Sequence, residues 1–174
     1  MLQLRSLAFN IVFYASLIMQ MIVWSPFYFL APRLKAWFVP KFWAHSSLWL
    51  QDLITGSRRE ISGLENIPQG SFILAPKHQS FWDVLAFFPY MPDALFILKR
   101  ELRWIPIFGW YVMKQRMIPV HRGNRSKALK DVVAATKAEM ARNPRQLIVY
   151  PEGTRIRAGR RAKYKTGGAR LAIA

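Results

Sequence analysis

Ser71-Phe72-Ile73-Leu74-Ala75-Pro76-Lys77-His78-Gln79-Ser80-Phe81-Trp82-Asp83-Val84-Leu85-Ala86-Phe87-Phe88 changes texture twice. Residues 71–75 form a short apolar run stopped by Pro76, the pattern of a buried strand. Residues 81–88 read as a short apolar helix. A strand leading through a turn into a helix is the repeating unit of an α/β fold. The turn carries His78 and Asp83. On a continuous helix an offset of five would hold these side chains apart, because neighbours on a helix are three and four residues distant. Across a turn the carboxylate can fold back to one imidazole nitrogen. The other nitrogen is then left to take a proton from an alcohol near neutral pH.

The same alternation continues downstream. Arg59-Glu60-Ile61-Ser62 is a candidate strand, residues 63–70 a turn-rich connector, and Ala94 to Leu98 a further strand. Leu102 to Lys114 is apolar but interrupted by Pro106 and Gly109, which predicts a short or irregular helix. A strand is expected at Arg116 to Val120. Ser126 to Arg142 places Leu129, Val132, Val133, Thr136 and Met140 at helical offsets and ends at Asn143-Pro144; a buried strand follows at Gln146 to Tyr150. The expected fold is α/β, with a mixed, at least partly parallel sheet flanked by helices. Residues 165–174 open like a helix and stop within its first turns, which predicts a truncated carboxy terminus.

Net charge is +17, from 26 Lys and Arg against 9 Asp and Glu, yet 52% of residues are hydrophobic. A disordered basic tail lacks that apolar content, so the charge decorates a folded or membrane-associated body and implies a polyanionic partner. The chain has no cysteine, which removes disulfides, thiolate nucleophiles and cysteine metal sites.

The amino terminus narrows the choice of partner. Leu7 to Ala31 holds no charged residue and is bracketed by Arg5 and by Arg33 with Lys35. A spanning helix needs about 20 mostly apolar residues. The run is too long for a signal peptide, and no small-residue cleavage site follows it. Asn10, Ser16, Gln20 and Pro26 weaken a spanning helix. The other reading is a helix lying in the interface beside a second segment, about residues 33–54. There Trp37, Trp43 and Trp49 mix with Lys35 and Lys41, as the headgroup region accommodates. Both readings stand. Gly56 is expected to end this region, giving a membrane-associated helical part at 1–56 and a second domain at 57–174.

Two further strand ends carry chemistry. Tyr150-Pro151-Glu152-Gly153-Thr154-Arg155 follows the 146–150 strand, and ligands of α/β sheets gather at the carboxyl ends of strands. Arg155 can grip a phosphate with two parallel hydrogen bonds, Gly153 lets backbone approach it, and Thr154 adds a hydroxyl. Glu152 cannot bind phosphate and is expected to orient an arginine or accept from a substrate hydroxyl. Met117-Ile118-Pro119-Val120-His121-Arg122 ends in a second candidate phosphate ligand, Arg122, with His121 a bystander on the opposite face. Lys99 and Arg100 close the 94–98 strand with further positive charge. The basic run from Arg155 to Lys165 is assigned no catalytic role. With no thiol nucleophile and no Gly-x-Ser-x-Gly elbow, direct attack of a substrate hydroxyl on an activated acyl group fits better than hydrolysis through an acyl-enzyme.

His78-Gln79-Ser80-Phe81-Trp82-Asp83, Ile118-Pro119-Val120-His121-Arg122 and Tyr150-Pro151-Glu152-Gly153-Thr154-Arg155 stand in the order found in the glycerolipid acyltransferases. The chain resembles the bacterial 1-acyl-sn-glycerol-3-phosphate acyltransferases from about Ile61 to its end, including Lys99 to Trp110. That resemblance implies His78 as general base on the sn-2 hydroxyl of lysophosphatidic acid, with Asp83 holding its tautomer. It implies acyl-CoA or acyl-carrier protein as donor, and a phosphate site shaped by Lys99, Arg122, Glu152, Gly153, Thr154 and Arg155. It implies no metal and no bound cofactor, and a bacterial inner-membrane location with the catalytic domain on the cytoplasmic side. Lys77 and His121 depart from the residues frequent in the family and bear on acceptor preference. The competing classes are an acyltransferase for another lysolipid, such as a lysophospholipid or lyso-ornithine lipid, and a basic membrane- or nucleic-acid-binding module. Nucleic-acid binders interleave exposed aromatics with basic residues on a platform. Here most tryptophans lie in the apolar amino terminus or beside the candidate turns, so no nucleic-acid partner is expected.

Overall fold

The computed structural model describes residues 2–121, 125–160, 163–167 and 171. The chain divides into two compact units, Met1–Ile67 with Leu85–Tyr90, and Pro68–Val84 with Met91–Ala174.

The first unit is helical: α1 (Leu2–Leu30), α2 (Arg33–Ala36) and α3 (Phe38–Thr55), with a 3₁₀ turn at Phe88–Tyr90. By length and composition α1 is the one described helix able to cross a membrane, with mean hydropathy 1.8 over its most apolar stretch. It packs along α3 through Phe13 and Trp43, whose ring centroids are 5.6 Å apart. Two of the polar residues that weakened a spanning helix are used inside this pairing. The Gln20 amide donates to Ser16 at 2.8 Å and across to Ser46 of α3 at 3.1 Å, so neither hydroxyl burdens the outer apolar face. Gly56 closes α3 as expected, at φ 71° with its N–H on the Asp52 carbonyl at 3.0 Å. The segment after it is not the strand expected at Arg59–Ser62. Arg59 is drawn back to Asp52 of α3 at 3.4 Å, so this stretch follows the helix end rather than a sheet edge.

The second unit carries a four-stranded sheet in the order β1 (Phe72–Leu74), β4 (Gln146–Ile148), β2 (Ala94–Lys99), β3 (Ile118–Val120). Every pairing is parallel: Ile73 sits opposite Leu147, Leu95 opposite Leu147 on its other side, and Lys99 opposite Val120. β4 is flanked on both sides and buried throughout, with Leu147 and Ile148 apolar and Gln146 paired to backbone. α4 (Trp82–Phe87) begins just after β1, and α5 (Phe108–Lys114) follows a 3₁₀ turn at Arg100–Trp104. α6 (Arg125–Arg142) lays Val132 against a core of Leu95, Ile118 and Leu147. Fully burying a leucine such as Leu95 or Leu147 is worth roughly 1.5–3 kcal/mol.

Parallel strands give the sheet two unlike edges. At the amino edge Arg145, fully buried, pairs with Asp93 at 3.3 Å and Glu139 at 3.0 Å. Its guanidinium also donates to the carbonyls of Ala94, Gln115 and Arg116 at 2.8–3.2 Å. Gln146 completes the seam, accepting from Asp93 N–H at 2.7 Å and donating to the Gly70 carbonyl at 2.8 Å. These bonds close loops that would otherwise bury unpaired backbone groups. The carboxyl edge is thereby left for chemistry.

Candidate active site

His78 lies in the extended turn between β1 and α4, and Asp83 is the second residue of α4. The turn lets the offset of five close: His78 Nδ1 and Asp83 Oδ2 are 3.2 Å apart. Asp83 is fixed from several directions. Oδ2 also accepts the backbone N–H groups of Gln79 and Ser80, and Oδ1 the Ser80 hydroxyl at 3.3 Å. Backbone donors aimed at a carboxylate hold it in place. With Nδ1 committed, Nε2 of His78 has no hydrogen-bond partner among the described residues and is the nitrogen available to a substrate.

The loop after β4 is bound to the same turn. Ile156 N–H donates to the His78 carbonyl at 2.8 Å, and His78 N–H donates to Glu152 Oε2 at 3.3 Å. Glu152 is buried, and its carboxylate faces the backbone of the candidate base. It makes no ion pair with a described arginine, and its hydrogen bond is to the His78 backbone N–H. Gly153 adopts φ 64°, a left-handed conformation that favours glycine, and the flexible Lys165 side chain is what lies beside it. Thr154 and Arg155 are exposed at the tip. The Arg155 guanidinium lies 6.0 Å from the centroid of Phe81, at the reach of a cation–π contact. Lys99 is exposed at the carboxyl end of β2, on the same edge of the sheet. Arg122, two residues past the end of β3, lies outside the described residues.

Tyr150 is the residue that reading the sequence missed. Taken as the last residue of a buried strand, it stands beyond β4 with its ring stacked on His78, centroids 4.1 Å apart and planes 27° from parallel. Burial, and then the negative charge of Asp83, push the Tyr150 phenol well above its ordinary value. Its hydroxyl is buried with no hydrogen-bond partner among the described residues. The same side chain walls an apolar cavity of about 240 Å³, lined also by Ile97, Val120, Leu129, Val132 and Val149. One ring thus has the imidazole on it and an apolar cavity at its edge. No group of three or more His, Asp or Glu among the described residues is placed to hold a metal ion.

The arrangement supplies a base with its carboxylate, an arginine-bearing loop hydrogen-bonded to that base, and an apolar cavity. Known proteins are similar to this chain in sequence and in fold. An acyltransferase family model matches residues 58–174. The chain is 33% identical over 169 residues to the 1-acyl-sn-glycerol-3-phosphate acyltransferase of Pseudomonas aeruginosa, covering 94% of this chain and 65% of that protein. A chloroplastic 1-acyl-sn-glycerol-3-phosphate acyltransferase of Brassica napus is 28% identical, with 98% of this chain and 50% of that protein covered. The chain therefore spans about half to two-thirds of the length of these relatives. The crystal structure of the 1-acyl-sn-glycerophosphate acyltransferase of Thermotoga maritima superposes with a TM-score of 0.75 at 26% identity, covering 99% of this chain and 71% of that one. Since the matched span contains both the His78–Asp83 turn and the loop that grips it, the chain belongs to the acyltransferase family.

Proposed function

We propose that the full protein transfers a fatty acyl group from a thioester to the sn-2 hydroxyl of 1-acyl-sn-glycerol-3-phosphate, giving phosphatidic acid. The observation that carries this reading is the coupling of the His78 turn to the arginine-bearing 150–156 loop through two hydrogen bonds, at His78 N–H and His78 C=O. A substrate with a phosphate handle and a nearby hydroxyl needs a base and a cation at a fixed separation. His78 Nε2 takes the hydroxyl proton as the alcohol oxygen bonds to the thioester carbonyl carbon. The carbon–sulfur bond then breaks, and the proton passes to the departing thiolate. Asp83 holds the tautomer and stabilises the imidazolium formed on the way. Arg155, with Lys99 and Arg122, grips the phosphate, and Gly153 and Thr154 shape its approach. The cavity beside Tyr150 suits the acyl chain of the donor, either acyl-CoA or acyl-carrier protein. No metal or resident cofactor enters this chemistry. The names of the Pseudomonas and Brassica relatives support the choice of acceptor. The apolar α1 supports association with a bilayer, which we take to be the bacterial inner membrane with the second unit on its cytoplasmic side.

Arg155→Ala is expected to raise the KM for lysophosphatidic acid at least tenfold, as befits a hydrogen-bonded charge pair worth ~1.5–3 kcal/mol, while leaving kcat within a few-fold. Steady-state kinetics on an acceptor panel test this together with the acceptor. The panel pairs lysophosphatidic acid with lysophosphatidylethanolamine and lyso-ornithine lipid against one donor. Lysophosphatidic acid should lead, and its lead should shrink in Arg155→Ala. An unchanged KM removes Arg155 from the phosphate site, and a preference for another lysolipid replaces the acceptor.

Tyr150 positions the base through its ring. Tyr150→Phe keeps the stack and removes an unpartnered hydroxyl whose burial costs about 1–3 kcal/mol. It should hold wild-type kcat and resist alkaline unfolding better. A phenol whose folded pKa is raised above its unfolded value stabilises below the unfolded value, about 10, and loses that stability as pH rises beyond it. Tyr150→Leu should lower kcat by roughly 10–100-fold with little change in KM, since small misplacements of a reacting group carry such penalties. Equal kcat in the leucine variant would remove the stack from the mechanism.

A further inference from the structure

The segment from Arg100 to Arg116 builds a surface that the proposed chemistry leaves unused. Trp104, Ile105, Trp110 and Met113 are 72%, 45%, 57% and 55% exposed, in a unit whose core leucines are sealed. The backbone that displays them is tightly constrained. Ile107 adopts φ 62° and ψ −57°, a γ-turn in which Phe108 N–H reaches the Pro106 carbonyl at 2.6 Å. A β-branched residue holds such a conformation only where surrounding contacts over-determine it. The turn swings α5 back onto the preceding 3₁₀ turn so closely that a Cβ on Gly109 would stand 2.0 Å from the Arg103 carbonyl oxygen. Trp104 and Trp110 are the next residues after these two contact points, one on each side of the joint. Met113 follows Trp110 by three residues and shares its helix face.

The charge of this corner is one-sided. Within residues 100–116, Arg100, Arg103, Lys114 and Arg116 stand against Glu101 alone. The Arg103 guanidinium lies 5.4 Å from the Trp104 ring centroid, an indole and a cation held together at the surface. Indoles with arginines alongside, on a rigid and unsealed corner, are suited to the headgroup region. There the rings take the apolar boundary and the cations meet lipid phosphates. We propose that this corner is a bilayer-contact surface of the second unit, separate from the amino-terminal helices, which seats the carboxyl edge of the sheet on an anionic phospholipid interface. A protein partner is disfavoured because four cations stand against one acid within residues 100–116. The corner begins at Arg100, directly after the end of β2, on the edge that carries His78.

Residues 1–174 hold no cysteine, and any cysteine elsewhere in the full-length protein is replaced by serine, so an introduced thiol is the sole labelling site. The experiment places an environment-sensitive fluorophore at Trp104→Cys, at Met113→Cys, or at Lys137→Cys on the exposed side of α6. Each full-length variant is bound to vesicles of phosphatidylethanolamine and phosphatidylglycerol with nitroxide-bearing lipids, and quenching is normalised to the bound fraction. Labels at 104 and 113 should shift to the blue and be quenched at least threefold more than the label at 137. Adding Arg100→Glu and Arg103→Glu to Met113→Cys should bring its quenching down toward that of position 137. Equal quenching with aqueous emission at all three positions would overturn the proposal. So would quenching at 113 that ignores the charge reversal. A label shielded by added protein but not by vesicles would overturn it in favour of a protein partner. The readout needs no turnover, so its failure leaves the acyl-transfer reading standing, and failure of acyl transfer leaves this surface standing.

Discussion

His78→Ala is expected to reduce acyl transfer by about 10²–10⁴-fold, the usual contribution of a positioned general base. The expectation follows from the bonds around the ring. Nδ1 is committed to Asp83 at 3.2 Å, Tyr150 lies across one face, and the backbone on either side is tied to the 150–156 loop. Only Nε2 remains for a substrate. The loss should appear in kcat and kcat/KM together, because the base acts on a proton that moves only in the transition state. Asp83→Asn tests the partner. It keeps the shape of the turn but removes the charge opposing the imidazolium, and its deficit should likewise fall on kcat. Circular dichroism and thermal unfolding of both variants would separate lost chemistry from lost structure. Turnover at the wild-type rate in His78→Ala would sink the assignment.

The second large effect lies at the opposite edge of the sheet. Arg145→Met should destabilise the protein by about 3–5 kcal/mol, because it strands Asp93 without its buried counter-charge, leaves Glu139 only the exposed Arg142 at 3.0 Å, and frees three carbonyls. Against a typical total stability of about 5–15 kcal/mol that is a large fraction, and the denaturant midpoint should fall accordingly. Removing both acidic charges as well, with Asp93→Asn and Glu139→Gln in the same chain, should recover part of the loss. A shift under about 1 kcal/mol for Arg145→Met alone, small against the usual effect of breaking a buried pair, would mean that the guanidinium does not bind this edge together.

Local patterns made much of the fold legible. The β1 run, the β2 run and the α6 stripe each announce themselves within a few residues, and Gly56 marks a helix end because left-handed backbone suits glycine. The meeting of His78 with Asp83 was legible too, since a turn signal lay between them. Long-range partners were harder to foresee. Arg145 follows Asn143-Pro144 and looks like an ordinary loop cation; its partners Asp93 and Glu139 lie on other elements, and no local pattern points to them. Tyr150 hid as the end of an apolar strand, because stacking on His78 depends on β1 and β4 being neighbours. Glu152 was expected to serve a cation or a substrate. It faces the His78 backbone for the same reason: adjacency of two strand ends that are 74 residues apart in the chain. The candidate strand at Arg59–Ser62 failed because Arg59 has a nearer partner in Asp52 than any sheet offers.

The proposed reaction is tested most directly by supplying the full-length protein, in bilayer or detergent, with a labelled acyl thioester and lysophosphatidic acid, and then mapping the position of the label in the product. Labelled phosphatidic acid is predicted, with the new acyl group at sn-2, and its formation should collapse in His78→Ala. No phosphatidic acid with either acyl-CoA or acyl-carrier protein, or equal formation in His78→Ala, would contradict the reading of this edge as a base coupled to a phosphate grip.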